Sequence, residues 1–241
     1  MLRCGKDSRS LLKNVGIALI LVTAVVAIYA QSFRFGALRF DDPQYLAGRF
    51  HLQNGLSIDG LKWAFSTPFL SNYTPLALSS HMLDRTLFGD DLGGHHLTSV
   101  ALHALNSILL FFALLSMTGA RGSSAAVAML FAVHPLNAES VAWIAERKNV
   151  LSTTFWILSM WAYASYARRA SVTLYLCAAL LLALRPHREP VHIRSDSAHR
   201  HKPHHHVQYT EAVAHVRRAP IAQAGAHRYA GDKTDQSGLH W

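Results

Sequence analysis

The chain has 241 residues, of which 51% are hydrophobic and only 15% charged, and its formal net charge is +9. With a mean hydropathy of +0.15, it is too apolar for an ordinary soluble domain. The basic charge could suit nucleic acid, but no basic run is interleaved with aromatic residues, so we predict no nucleic-acid partner. The two cysteines, Cys4 and Cys177, indicate neither a disulfide framework nor a metal site.

Five apolar segments follow one another through residues 15–184. They are Val15–Ala30, Leu97–Met117, Ser123–Val133, Val150–Ala167 and Ser171–Leu184. A membrane span needs about 20 residues, which the second segment has outright and the first and fourth reach with their flanks. We therefore predict an all-α, polytopic membrane helix bundle of about five spans, with a large outer first loop over residues 31–94.

Basic residues predict the orientation of this bundle. Four precede the first span, Arg121 lies between the second and third, and Arg168 and Arg169 lie between the fourth and fifth. If the spans alternate, all three groups fall on one side, which the positive-inside rule makes cytoplasmic. Residues 1–14 are then a cytoplasmic N-terminus, and the bundle is predicted to lie in the inner membrane. A cleaved signal peptide is the alternative, although bulky Ile28 suits a cut after Ala30 poorly.

The large outer loop carries apolar residues at helical spacing in two places, Ile58–Phe65 and Pro75–Leu87. Such segments suit helices that lie at the membrane interface. A small folded cap on the bundle is the alternative, and the two interpretations are compatible.

Polar residues form stripes on two of the predicted spans. From His96 the second span continues with Ser99, His103 and Asn106 on one helical face. Hydrogen bonding between helices explains His103 and Asn106, whereas His95 and His96 at the outer mouth are candidate functional residues. A stripe on the fourth span, from Asn149 to Ser159, could meet the first one and line a cleft that opens outward.

Two charged pairs lie on the predicted outer side. Asp41-Asp42 follows the first span closely, and a carboxylate at a membrane surface is a natural general base. Arg147-Lys148 breaks the charge rule in a short outer loop, which an anion at the membrane surface would explain. The alternative is that this basic pair is neutralised by Glu139, Glu146 or a lipid headgroup.

Several motifs recur in an order that resembles a known family. They are FDDPQYL (Phe40–Leu46), LKWAF (Leu61–Phe65), YTPLALSSHMLD (Tyr73–Asp84), LFG (Leu87–Gly89), GGHHLTSVALHALN (Gly93–Asn106) and LFAVHPLNAESVAWIAERKNVLST (Leu130–Thr153). This pattern resembles the membrane half of bacterial tetratricopeptide-repeat membrane proteins. Those are similar to the eukaryotic transmembrane-and-tetratricopeptide-repeat O-mannosyltransferases and, more distantly, to protein O-mannosyltransferases.

The resemblance implies the GT-C glycosyltransferase fold over about residues 10–184, a polyprenyl-phosphate-linked sugar as donor, and a Ser or Thr hydroxyl on an exported polypeptide as acceptor. Asp41-Asp42 match the family's acidic catalytic motif, and which aspartate is the base stays open. The leaving lipid phosphate needs cations. The candidate phosphate- or substrate-binding residues are Arg147, Lys148, His95, His96, His134 and Glu139. No cofactor is certain, and a divalent cation stays open.

Residues 185–241 depart from that family. They are rich in His and Arg, contain no further span and no repeat, and are predicted to be a disordered tail. We interpret them as a frameshifted continuation, so that 15–184 is a truncated transmembrane domain with little expected transferase activity. The run Arg200–His206 lacks a second cluster at metal spacing. The rival function is a non-catalytic membrane anchor or partner-binding module.

Overall fold

The computed structural model describes residues 4–38, 41–46, 50–70 and 72–184, and the backbone of 187–188. These residues are almost entirely helical, so the predicted all-α class is confirmed. The helices are α1 (Cys4–Tyr29), α2 (Asp42–Leu46), α3 (Phe50–Gln53), α4 (Ile58–Ser66), α5 (Pro75–Phe88), α6 (Leu92–Thr118), α7 (Arg121–Val133), α8 (Asn137–Ala142), α9 (Arg147–Arg169) and α10 (Val172–Ala183), with 3₁₀ turns at Ala30–Arg34 and Ile144–Glu146. Two short strands, β1 (Asn72–Tyr73) and β2 (His187–Arg188), pair antiparallel. The rest of the predicted tail, including the His-rich run, lies outside the described residues.

All five predicted apolar segments coincide with helices, namely α1, α6, α7, α9 and α10; only Ala30, Ser171 and Leu184 lie one residue beyond the helix ends. Two stretches are long and apolar enough to cross a membrane, Arg9–Arg34 and Leu92–Thr118. The second has 27 residues, which at about 1.5 Å per residue exceeds a hydrocarbon core of about 30 Å. Helices α7 and α10 are apolar but shorter, so the number of five spans stays a prediction.

Local signals set the ends of the helices that carry the site. Helix α5 begins with Pro75, whose fixed φ and missing N–H suit a first helical position. Asp91 caps α6 by accepting a hydrogen bond of 3.1 Å from the Gly93 N–H. The same helix ends at Gly119, whose φ of +69° provides the left-handed residue that commonly stops a helix.

The bundle and the outer loop have separate hydrophobic cores. The bundle core joins α1, α6 and α7 around buried Val25, Phe111 and Ala128. The loop folds into a cap that is built from α2–α5, with Leu52 and Met82 among its buried residues. The alternative of a folded cap is therefore what the structure shows. Apolar side chains on α4 nevertheless stay exposed, as they would on an interfacial helix.

The described basic residues near the start of α1, the start of α7 and the end of α9 lie at one end of the bundle. The Arg121 guanidinium donates hydrogen bonds to Asn14 Oδ1 at 2.8 Å and to Ser10 Oγ at 2.7 Å, which ties the start of α7 to the start of α1. Arg168 donates to the Ser116 carbonyl near the end of α6. This geometry agrees with the arrangement from which the cytoplasmic side was predicted, while the orientation in a membrane stays a prediction.

Candidate functional site

The second member of the acidic pair joins two distant segments. Asp42 is 1% exposed. Its Oδ2 accepts a hydrogen bond from the Leu38 N–H at 2.8 Å, and its Oδ1 accepts one from the Ala145 N–H at 2.9 Å. Hydrogen bonds to a charged acceptor are the stronger kind. The Asp42 carboxylate therefore acts as a staple between the segment after the first span and the segment that precedes α9.

Asp41 differs from its neighbour. Its side chain is only partly buried, and its carbonyl accepts the Gln44 N–H at 3.0 Å at the start of α2. Burial, together with the negative charges of Asp41 and Glu146, raises the pKa of Tyr45 to about 12. Asp41 therefore acts electrostatically on the centre of the site while part of its carboxylate faces solvent.

The basic residue Arg147 is the hub of a buried ion-pair network. Its side chain is fully buried, and its Nη1 lies 2.5 Å from Asp84 Oδ2 on α5. The other guanidinium nitrogens reach α6, where Nη2 donates to the His95 carbonyl at 2.6 Å and Nε donates to Ser99 Oγ at 3.2 Å. Such pairing is what a buried guanidinium requires. Arg147 therefore locks the cap to the bundle, and its donors are directed inward.

Asp84 was not among the predicted site residues, although it ends the quoted YTPLALSSHMLD motif. Its Oδ1 accepts a hydrogen bond from Thr98 Oγ1 at 2.7 Å, and its Oδ2 also lies 3.4 Å from His95 Nδ1. One carboxylate thus joins α5, α6 and α9. The signal available in the sequence was a lone acid on an apolar helix, which needs a cation when it is buried.

Lys148 has the second acidic partner. Its Nζ lies 2.6 Å from Glu146 Oε1 and 3.4 Å from the Ala145 carbonyl oxygen. The Glu146 Oε2 atom in turn accepts a hydrogen bond from the Asn149 amide. Of the alternatives considered for the basic pair, neutralisation by Glu146 is the one seen for Lys148. The Lys148 side chain is buried, with 8% of its surface exposed.

His81 on α5 is a second residue that the sequence interpretation missed. It is fully buried against the rings of Tyr45, 5.1 Å away, and His95, 6.5 Å away. Its ring nitrogens have no hydrogen-bond partner among the described residues. Burial holds the pKa of His81 well below its ordinary value, and the electrostatic influence of the neighbouring Arg147, His95 and Lys148 lowers it further. The ring is therefore neutral.

The remaining predicted residues lie at two different places. His95 and His96 are buried at the start of α6, and His96 packs edge-on against Phe35 at a ring distance of 6.3 Å. His134 is half-buried, and its Nδ1 accepts the Leu136 N–H at 3.3 Å. Glu139 on α8 is exposed. The structure thus gathers His95 and His96 with the buried charges and leaves Glu139 at the surface.

Glu139 lines an open groove of about 520 Å³, which we call the outer groove. One wall is formed by Arg34, Phe35, Gly36 and Leu38; the other is formed by Glu139, Ala142 and Trp143. The Asp42 staple joins the two segments that carry these walls, because it binds Leu38 of one wall and Ala145, two residues after Trp143 of the other. The acidic pair and the groove therefore belong to one local structure.

The polar stripe on the second predicted span packs against α9 in a seam, but it does so through Val150 and Thr154, which lie outside the stripe predicted on the fourth span. The Asn106 amide donates to the Val150 carbonyl at 2.9 Å and accepts from Thr154 Oγ1 at 2.7 Å. His103 Nε2 lies 3.1 Å from the Ala132 carbonyl oxygen. These contacts are the interhelical hydrogen bonds expected for His103 and Asn106, whereas the predicted cleft is closed here by direct contact. Within the described residues no group of three His, Cys, Asp or Glu could hold a metal ion.

Comparison with known proteins finds relatives named as O-mannosyl-transferases. Over 173 residues the chain is 30% identical to "Protein O-mannosyl-transferase TMTC1" of Mus musculus, which covers 67% of this chain and 17% of that protein. It is 33% identical over 97 residues to "Protein O-mannosyl-transferase Tmtc1" of Drosophila melanogaster, an alignment that covers 40% of this chain and 11% of that protein. It is 31% identical over 93 residues to "Protein O-mannosyl-transferase TMTC1" of Homo sapiens, an alignment that covers 38% of this chain and 10% of that protein.

The chain thus spans about a sixth or less of the length of these curated relatives. No protein-family model and no solved structure matches it. The similarity supports a relation to the TMTC proteins and a glycosyltransferase-like role. Together with the two apolar helices, it indicates a membrane protein.

Proposed function

We propose that this chain forms part of a membrane glycosyltransferase. The sugar comes from a polyprenyl-phosphate-linked donor and goes to a Ser or Thr hydroxyl of an exported polypeptide. The observation that carries the proposal is the hydrogen bond between Asp42 and the Ala145 N–H. It brings the acidic pair of the first loop beside the segment that bears Glu146, Arg147 and Lys148. The names of the relatives support the same chemistry.

Asp41 is the base in this proposal, and Asp42 is a positioning residue. The acceptor hydroxyl loses a proton as its oxygen attacks the anomeric carbon, and a carboxylate within hydrogen-bond reach can take that proton. The oxygens of Asp42 already accept two backbone N–H groups in a buried setting. The partly exposed carboxylate of Asp41 is free of such bonds from the described residues.

Lys148 and Arg147 have different roles toward the lipid phosphate. The ammonium group of Lys148 carries three N–H donors, of which Glu146 Oε1 and the Ala145 carbonyl oxygen accept two. The third can reach a phosphate oxygen, where the positive charge would stabilise the negative charge that develops on the leaving phosphate. Arg147 is committed to Asp84, His95 and Ser99, so it holds the site together without touching the donor. The GT-C fold, the multi-pass topology and a cytoplasmic N-terminus in the inner membrane belong to the same proposal.

Binding of the donor lipid tests the proposal directly. The chain is reconstituted in phosphatidylcholine nanodiscs and titrated with mannosyl undecaprenyl phosphate, for the wild type and for Lys148→Gln. We expect Lys148→Gln to weaken binding about tenfold, as for loss of one charged hydrogen bond. The control is Lys62→Gln, which removes an exposed lysine of the cap and should leave binding unchanged.

Because little transferase activity is expected of this chain, the base is tested on the residual transfer to a Ser/Thr-containing peptide, followed over long incubation in the same nanodiscs. Asp41→Asn should lower the rate by at least about 100-fold, whereas the exposed Asp59→Asn should not. A wild-type chain that does not bind the donor lipid would refute the proposal and favour a non-catalytic membrane module.

A further inference from the structure

The outer groove carries charges that the rest of the site has not used. Arg34 and Glu139 are both exposed and lie on opposite walls. Among the described residues neither takes part in an ion pair or a side-chain hydrogen bond. Arg147 and Lys148 are instead buried against Asp84 and Glu146. A ligand that enters this groove therefore meets a cation and an anion that are both available.

The position of the groove selects the kind of ligand. Arg34 is the last residue of the candidate membrane span Arg9–Arg34. Exposed Val133 and Leu136 precede α8, which supplies Glu139 to the other wall. The groove therefore lies where an apolar surface ends and polar groups begin. An amphipathic molecule fits this boundary, with its head in the groove and its chain along the apolar surface.

The chemistry of the walls matches a sugar phosphate. The guanidinium of Arg34 presents a planar set of donors that suits phosphate oxygens. The Glu139 carboxylate accepts hydrogen bonds only, which suits the hydroxyl groups of a sugar and disfavours a second phosphate. Phe35 and Trp143 add aromatic surface beside these charges, and such surface packs well against the C–H groups of a sugar ring.

We propose that the outer groove binds the head group of the lipid-linked sugar, with Arg34 on the phosphate and Glu139 on the sugar hydroxyls. This assignment rests on the proposed function and adds to it a binding site for the donor. Asp42 is the residue that sets the width of the groove, because its carboxylate joins the segments that carry both walls. Asp41, its neighbour in the chain, is thereby kept close to the bound sugar.

Three lipids separate the parts of this proposal in the nanodisc titration. They are mannosyl undecaprenyl phosphate, undecaprenyl phosphate and phosphatidylglycerol. Arg34→Gln should weaken binding of both polyprenyl phosphates by roughly tenfold. Glu139→Gln should weaken only the sugar-bearing lipid, by roughly threefold to tenfold. The matched control is Arg9→Gln, which removes an exposed arginine at the opposite, basic end of the bundle.

A steric variant tests the groove without changing charge. A Cβ added at Gly36 would meet nothing within 4 Å, so Gly36→Leu places its side chain in open space within the groove. We expect it to weaken binding of mannosyl undecaprenyl phosphate at least tenfold without lowering the unfolding temperature. Gly122→Leu, also in open space but at the basic end, is its control.

The outcomes distinguish this proposal from the function on which it rests. If Lys148→Gln weakens binding but Arg34→Gln and Gly36→Leu do not, the glycosyltransferase proposal stands and the groove is overturned. If Arg34→Gln and Glu139→Gln weaken the binding of phosphatidylglycerol as much as that of mannosyl undecaprenyl phosphate, the groove is a general contact for anionic lipids and the sugar assignment is overturned. No binding of mannosyl undecaprenyl phosphate by the wild type would overturn both.

Discussion

The substitution Asp42→Asn isolates the staple between the first loop and the segment before α9. The asparagine oxygen can still accept a hydrogen bond from one of the two backbone N–H groups. Its NH₂ group, however, faces the other N–H, and two donors cannot form a hydrogen bond with each other. One charge-assisted hydrogen bond is lost, which costs about 1.5–3 kcal/mol, and a buried backbone N–H of Leu38 or Ala145 stays unsatisfied. We expect a total loss of about 3 kcal/mol. For a chain of this size that lowers the midpoint of thermal unfolding by about 6–12 °C.

The assay follows tryptophan fluorescence during heating of the detergent-purified chain. Asp41→Asn is the matched control, because it removes the same charge from the adjacent residue and is nearly isosteric. Its partly exposed side chain makes a change of about 0.5 kcal/mol or less the expectation. Equal unfolding midpoints for the two variants would refute the staple, as would a larger loss for Asp41→Asn.

Three further predictions use the same unfolding measurement. Arg147→Met leaves the carboxylate of Asp84 buried without its cation and should lower the free energy of unfolding by about 3–5 kcal/mol. The double variant with Asp84→Leu should recover much of this loss. Strictly additive losses for the two substitutions would contradict the pairing. Because burial holds the pKa of His81 well below 6.5, only the unfolded chain takes up that proton, so stability should fall by about 2 kcal/mol between pH 6.5 and 5. His81→Phe should reduce the dependence of the unfolding free energy on pH in this range. If the slope is unchanged in this variant, His81 is not the group responsible. Asn106→Leu should cost about 1–3 kcal/mol by removing the seam between α6 and α9, and an unchanged midpoint would show that the seam contributes little.

The helices could be predicted from the sequence because their signals are local. Long apolar runs, the aspartate before α6 and the glycine after it all act within a few residues of the position that they determine. The shared end of the three basic groups was also predictable, since it follows from the alternation of the spans alone. The folding of the outer loop into a cap was harder to predict from the sequence, because helices α2–α5 pack together through residues that are distant in sequence.

The site was harder because its partners lie far apart in the chain. The basic pair at residues 147 and 148 was recognised as an exception to the charge rule, and an anionic ligand was only one of its explanations. Arg147 also donates hydrogen bonds to Ser80 on α5, 67 residues away, and to Ser99 on α6, 48 residues away. No spacing rule reaches that far, so the choice between ligand and internal partner required the tertiary structure. The exposed Arg34, at the end of an ordinary apolar span, gave no comparable signal.

Asp41 and Asp42 show how one motif can hold two functions. Successive residues at a helix start point in different directions, so two adjacent carboxylates cannot both reach the same partner. Which one turns inward is decided by the Ala145 N–H, 103 residues further on. Once Asp42 is fixed there, Asp41 is held beside it at the start of α2, where its charge acts on Tyr45. The rigidity of the inner carboxylate thus positions the outer one. In the proposed glycosyl transfer, this would give the pair an advantage over a single aspartate, because the base would be held in place by its neighbour.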